Sequence, residues 1–176
     1  IPSLNPLKKG YRIVFEKQQS SLGKKNLPKH EQQCLENLYA EIQENPKKHI
    51  DTLIALNQRC PHVPEIANLL AFAYLKMGKK KESEEWIEKA YRDHPDYLIA
   101  KINYADQCLR LKKAFKIPEI FEHSFELHAL CPHCDQFHFA EFRGFQIVMG
   151  HYHLERGDHE KAEECYELAF QVDPLH

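Results

Sequence analysis

Apolar side chains recur at helical spacing along nearly the whole chain. Ala67, Leu70, Ala71 and Tyr74 fall at i, i+3, i+4 and i+7, the stripe of a half-buried helix. Leu35, Leu38, Tyr39 and Ile42 repeat that spacing near the front, and Phe139, Phe142 and Phe145 share one face near the end. Breaks fall where helices need them. Gly78 and Gly157 suit the residue after a helix, Asn45-Pro46 opens one, and Pro95 and Pro174 stop others. Tyr104, Ala105 and Cys108 mark a further helix, followed by a second from near Pro118 through Phe121 and Phe125. Asp135 is a plausible N-cap, so residues 135–142 read as a backward extension of the helix that follows. At the front, Leu7, Tyr11, Val14 and Phe15 lie on one side of an expected helix from about Pro6 to Ser21, capped by Asn5. No segment reads as a strand. The pattern predicts an all-α chain of about four helix pairs plus an N-terminal helix.

Residues 64–97 align with residues 143–176 without a gap. Gly78 meets Gly157, Ser83 meets Ala162, Ala90 meets Ala169, Pro95 meets Pro174, and the small residues Ala71 and Gly150 coincide. Small residues at matched places let two antiparallel helices and their neighbour approach closely. On these landmarks the chain resembles the tetratricopeptide repeat family, whose unit is about 34 residues of helix–turn–helix. The stretch from Glu155 to Pro174 fits that pattern best, with Gly157, Ala162, Tyr166, Ala169 and Pro174 in place. Ala67, Gln146 and His153 depart from it, standing where the family carries large apolar or aromatic side chains. The resemblance implies a right-handed α-α superhelix, a solenoid whose units share their core with their neighbours. The expected divisions are an N-terminal arm with a short helix at 1–27, then repeats at 28–63, 64–97, 98–134 and 135–176. The proline-to-proline spacing lengthens around the third repeat, which is degenerate.

Composition narrows the function. The chain has 176 residues, 43% hydrophobic and 28% charged, within the range of ordinary globular proteins. Its 24 basic and 26 acidic residues leave a net charge of -2, which disfavours a nucleic-acid binder. Mean hydropathy is -0.61, and no apolar run approaches the roughly 18 residues of a membrane span. No glycine-rich phosphate loop, GxSxG or HExxH occurs, so no enzymatic activity is expected. Cys34, Cys108 and Cys165 sit in helical segments as small apolar residues, which reads as reduced thiols in a cytoplasmic protein. Ile1 is not a start methionine, so a processed chain or a piece of a longer parent is expected.

The family's geometry implies a concave surface lined by first-helix residues. Here these are Asn68, Leu69, Phe72, Leu75 and Lys76 in one repeat and Ile102, Asn103, Asp106, Leu109 and Arg110 in the next. The last repeat gives Ile147, Val148, His151 and Leu154. The lysine, asparagine and arginine set with which some members grip a C-terminal carboxylate is absent. Only Asn103 matches, while Gly144 and Val148 replace a lysine and an arginine. An apolar groove with a few polar posts suits a protein or peptide segment with hydrophobic anchors, with Phe72 and Leu109 expected to carry affinity and little stability. Two alternatives accompany this reading: a chaperone of a secreted protein, and a zinc-binding protein on the same scaffold. The zinc candidates are Cys131, Cys134, His138 and His128. Against zinc, Cys60-Pro61-His62 repeats the tripeptide Cys131-Pro132-His133 where a turn is needed anyway, so no metal or other cofactor is the first expectation. The apolar flank of Tyr166, Ala169 and Phe170 suggests a homodimer through the C-terminal end or a longer chain that covers it.

Overall fold

A computed structural model describes residues 10–15 and 27–172. The fold is an all-α helical repeat. The described residues divide into two compact units, 27–100 and 10–15 with 101–172, each with its own packing.

In the first unit, helices α1 (Lys29–Glu44) and α2 (Pro46–Arg59) precede α3 (Pro64–Lys76) and α4 (Lys80–Asp93). Pro46 and Pro64 occupy the first turns of their helices, where the missing N–H costs nothing. The expected stripe of α1 is inward at Leu35, Leu38 and Ile42, while Tyr39 is exposed. These side chains form a core with Leu53, Leu56, Ile66 and Leu70. Gly78 ends α3 with φ +72°, a left-handed turn that suits glycine. Ser83 then donates a hydrogen bond of 2.8 Å to the Ala71 carbonyl, tying α4 to α3 across a contact too close for a larger side chain. Ala67, Ala90 and Ala100 make a separate small-residue core under Trp86 and Tyr97.

In the second unit α5 (Leu98–Arg110), whose first three residues belong to the first unit, leads to α8 (Phe139–Glu155) and α9 (His159–Val172) by way of irregular chain. Gly157 has φ +78° and repeats the role of Gly78. The closest approach lies between α8 and α9. A Cβ at Gly150 would stand 2.5 Å from Tyr166, so the ring packs directly on the α8 backbone.

Three expectations need correction. The second helix of the third repeat is not continuous: a 3-10 turn (Ala114–Lys116), α6 (Ile117–Ile120) and α7 (Leu127–Leu130) replace it. Glu122 and His123 adopt φ of 52° and 58° between them. Lys101 is buried, and the Glu122 carboxylate forms an ion pair with it, which gives the left-handed break an electrostatic return. Phe121 stays fully buried against Phe145, whereas Phe125 is exposed and stacks on Tyr152.

The backward extension of α8 is absent too. Gln136–His138 is a strand, β2, and the helix starts at Phe139. Its cap is His138, not Asp135: Nδ1 accepts from the Ala140 N–H at 3.3 Å, and the Glu141 carboxylate accepts from the His138 N–H at 2.9 Å.

The partner of β2 is β1 (Arg12–Val14), in parallel register with Ile13 opposite Phe137. The described part of the expected N-terminal helix is therefore extended, and the remainder lies outside the described residues. Gly10 at φ +80° breaks a helix there, and β-branched Ile13 and Val14 favour the strand. Tyr11 and Ile13 are buried and Arg12 exposed, the period of two that a strand requires.

Gly150→Ala should lower stability, because about 1–3 kcal/mol of overpacking exceeds the roughly 1 kcal/mol that alanine gains in a helix. In a Tyr166→Ala background the same change should be neutral or stabilising. Denaturant melts of the four proteins check both signs.

A candidate peptide groove

The C-terminal half of α5 and the C-terminal half of α8 enclose an open depression of about 490 Å³. Asp106, Leu109 and Arg110 line it from α5, and His151, Leu154 and Glu155 from α8, with Lys112 at the rim. Five of the seven (Asp106, Leu109, Arg110, His151 and Leu154) are expected concave-surface residues, brought together from two repeats. Helical periodicity explains this: residues three and four apart share a face, so matched spacings on two first helices present matched faces.

The polar rim is organised into two ion pairs. Arg110 meets Asp106 at 2.9 Å one turn away, and Lys112 meets Glu155 at 2.9 Å across the depression. Lys112 reaches it from a left-handed backbone, φ 59°, which turns the chain after α5. Sequence reasoning missed Lys112 and Glu155, since a lysine pair in a turn gives no sign of which way it points. Free apolar surface lies at Leu154, 46% exposed, beside the exposed His151 ring, which meets Tyr166 edge-on at 5.7 Å. Leu109 is only 5% exposed and forms the floor, so it is a packing residue; the expectation that its loss would spare stability is corrected. Ile102 is also buried, 3.1 Å from where a Cβ on Gly144 would stand. Asn103 is half-buried.

In the first unit Leu69 is buried in the core and Phe72 packs half-buried against it. Phe72 is thus no free anchor either. Leu75 and Lys76 are exposed on α3, Leu75 by 56%, and Asn68 is half-buried.

The zinc candidates Cys131, Cys134, His138 and His128 are not drawn into one cluster. His138 spends Nδ1 on capping α8, and His128 stacks on Tyr11 with ring centroids 6.3 Å apart. Cys131 and Cys134 are joined by a disulfide. The residue whose ring nitrogen falls within 4.8 Å of both sulfurs is His133, between them in sequence. In the disulfide state neither sulfur is a thiolate ligand. Among the described residues, Cys34, Cys60, Cys108 and Cys165 form no disulfide.

A second cavity of about 390 Å³ lies beside α8 and α9, lined among others by Tyr11, Phe125, Gln146, His153, Lys161 and Cys165. Gln146 and His153 are two of the three departures from the repeat pattern, so the missing large side chains coincide with the space left open. Burial pushes the His153 imidazole below its ordinary value, and Lys161 and Arg156 add to this; Asp158, 3.9 Å away, and Glu164 oppose it.

Paired antiparallel helices, glycine turns with positive φ and small residues at each close crossing define a helical-repeat protein. Two stretches, 64–92 and 145–174, match the family model described as tetratricopeptide repeat, and the chain carries tetratricopeptide repeats at both. No curated protein matches the chain. Among the described residues no helix is long and apolar enough to cross a membrane.

The depressed His153 has a consequence for stability. Above its ordinary value near 6.5 both states hold a neutral ring; as pH falls, the unfolded chain takes up the proton first and stability declines. His153→Gln should therefore lose less stability than the wild type between about pH 7.5 and pH 5, measured by urea melts at each pH.

Proposed function

We propose that the chain binds a peptide segment of a partner protein, laying an apolar anchor against the exposed Leu154 between the Arg110–Asp106 and Lys112–Glu155 pairs. The observation that carries this reading is the meeting of five matched first-helix residues around one open depression. Tetratricopeptide repeats in general make a protein–protein interaction module, and scaffolds of this kind ordinarily have no chemistry of their own. The rim supplies two charges of each sign, so it selects by register more than by net charge. An apolar client held for export would present the same kind of anchor, so the chaperone role is one instance of this reading. Leu75 and Lys76 on α3 are exposed surface of the same character.

A second reading concerns α9. Phe170 is 62% exposed beside half-buried Tyr166, which favours self-association or a covering partner on that flank.

Peptides selected from a random display library on the wild-type chain provide a ligand for the test, with affinity read by fluorescence anisotropy. Leu154→Asp with His151→Ala, both at exposed positions, should weaken binding at least tenfold, about 1.4 kcal/mol, while the melting temperature moves by a few degrees at most. Phe170→Ser should leave peptide affinity unchanged and abolish any concentration-dependent association seen by light scattering. Undiminished affinity in the groove variant would place the binding surface elsewhere.

A further inference from the structure

The tripeptide Cys-Pro-His occurs twice, and both copies form the same turn. Val63 N–H donates to the Cys60 carbonyl at 3.1 Å, and Cys134 N–H donates to the Cys131 carbonyl at 3.0 Å. The copies differ in the fourth residue and in the surroundings of the first sulfur. Cys60 is buried, and its Sγ lies 3.2 Å from the Glu31 carboxylate. Burial and that hydrogen bond push its thiol up, so it stays protonated and inert. In the other copy the fourth residue is Cys134 instead of Val63. The turn sets the two Cα atoms 5.3 Å apart, inside the range a disulfide needs, and the bond is formed. Cys131 and Cys134 are half-buried, and Pro132 and His133 between them are exposed. The His133 Nε2 lies 3.5 Å from Cys131 Sγ. A bridge that closes so short a loop restricts the unfolded chain less than one that closes a long loop. A ring nitrogen placed to donate a hydrogen bond to one sulfur instead favours that sulfur as a thiolate leaving group.

We propose that Cys131–Cys134 is a thiol–disulfide exchange site that takes two electrons from a low-molecular-weight thiol. A thiolate RS⁻ attacks Cys134 Sγ; the Cys131–Cys134 bond breaks, a mixed disulfide forms at Cys134, and Cys131 departs as a thiolate against His133. A second RS⁻ attacks the outer sulfur of the mixed disulfide, releasing RSSR and the Cys134 thiolate. The thiol is oxidised, the protein pair is reduced, and the two thiol protons end on the cysteines or in solvent. The four-residue helix α7 presents its carbonyl end to Cys131, so no helix N-terminus assists; the preference for Cys131 as leaving group rests on His133.

The full chain, kept in EDTA, is equilibrated with glutathione buffers of graded reduced-to-oxidised ratio, alkylated and read by mass spectrometry. The pair should open and close reversibly while Cys60 remains a free thiol. His133→Ala, an exposed substitution, should shift the equilibrium toward the disulfide about tenfold, equivalent to about 30 mV for two electrons. Among single-cysteine variants, Cys134→Ser should leave a Cys131 that alkylates faster at neutral pH than the Cys134 of Cys131→Ser, and His133→Ala should remove that difference. A pair that never opens in excess glutathione, or an equilibrium and alkylation rates unmoved by His133→Ala, would overturn the proposal.

Discussion

The close approach of paired helices is the constraint on which the remaining structure depends. Where Tyr166 lies on the backbone at Gly150, no side chain fits between, and where Ser83 bonds to the Ala71 carbonyl a larger residue would force the helices apart. Ala90 and Ala169 are buried for the same reason. Interiors pack as tightly as organic crystals, so such contacts tolerate little added volume. Within each pair they set how the second helix lies on the first, α4 on α3 and α9 on α8.

The repeats are regular where these contacts are kept and irregular where they are not. Between α5 and α8 the second helix is cut into short turns, with Glu122 left-handed and paired to the buried Lys101. That region holds the Cys131–Cys134 bond and the strand β2, to which β1 is paired. The Arg12 N–H also bonds the Asp135 carbonyl at 2.9 Å, so the chain just after the disulfide holds the N-terminal strand as well. Aromatic packing of Tyr11 on Phe137 and of Phe15 on Phe139 completes the attachment. The degenerate repeat thus carries features that a regular helix pair would have no room for.

Much of this was legible in the residues. Matched Gly78 and Gly157 located the turns, matched small residues located the crossings, and the spacing of Asp106, Leu109 and Arg110 located one wall of the depression. What escaped was tertiary. Tyr11, Val14 and Phe15 satisfy a helical period, while Tyr11 and Ile13 satisfy a strand period; only the availability of β2 as a partner decides between them. Leu109 and Phe72 lie on the expected face, yet nothing in their spacing reveals that neighbours cover them. The third nitrogen or sulfur near Cys131 and Cys134 is His133, which a turn brings close, whereas His128 and His138 are drawn into ring stacking and helix capping. Turn geometry and competition for side-chain hydrogen bonds are short-range effects, but spacing rules for metal ligands do not contain them.

The central claim is that the depression between the C-terminal halves of α5 and α8 is where a peptide partner is held. Backbone amide chemical-shift mapping of the isotope-labelled chain, titrated with a display-selected peptide, tests it most directly. The account predicts saturable shifts concentrated at Asp106, Leu109, Arg110, His151, Leu154 and Glu155, with small changes at Phe170 and around the 390 Å³ cavity. Shifts centred on Phe170 and Tyr166, or on Gln146 and His153, with the depression unperturbed, would contradict it.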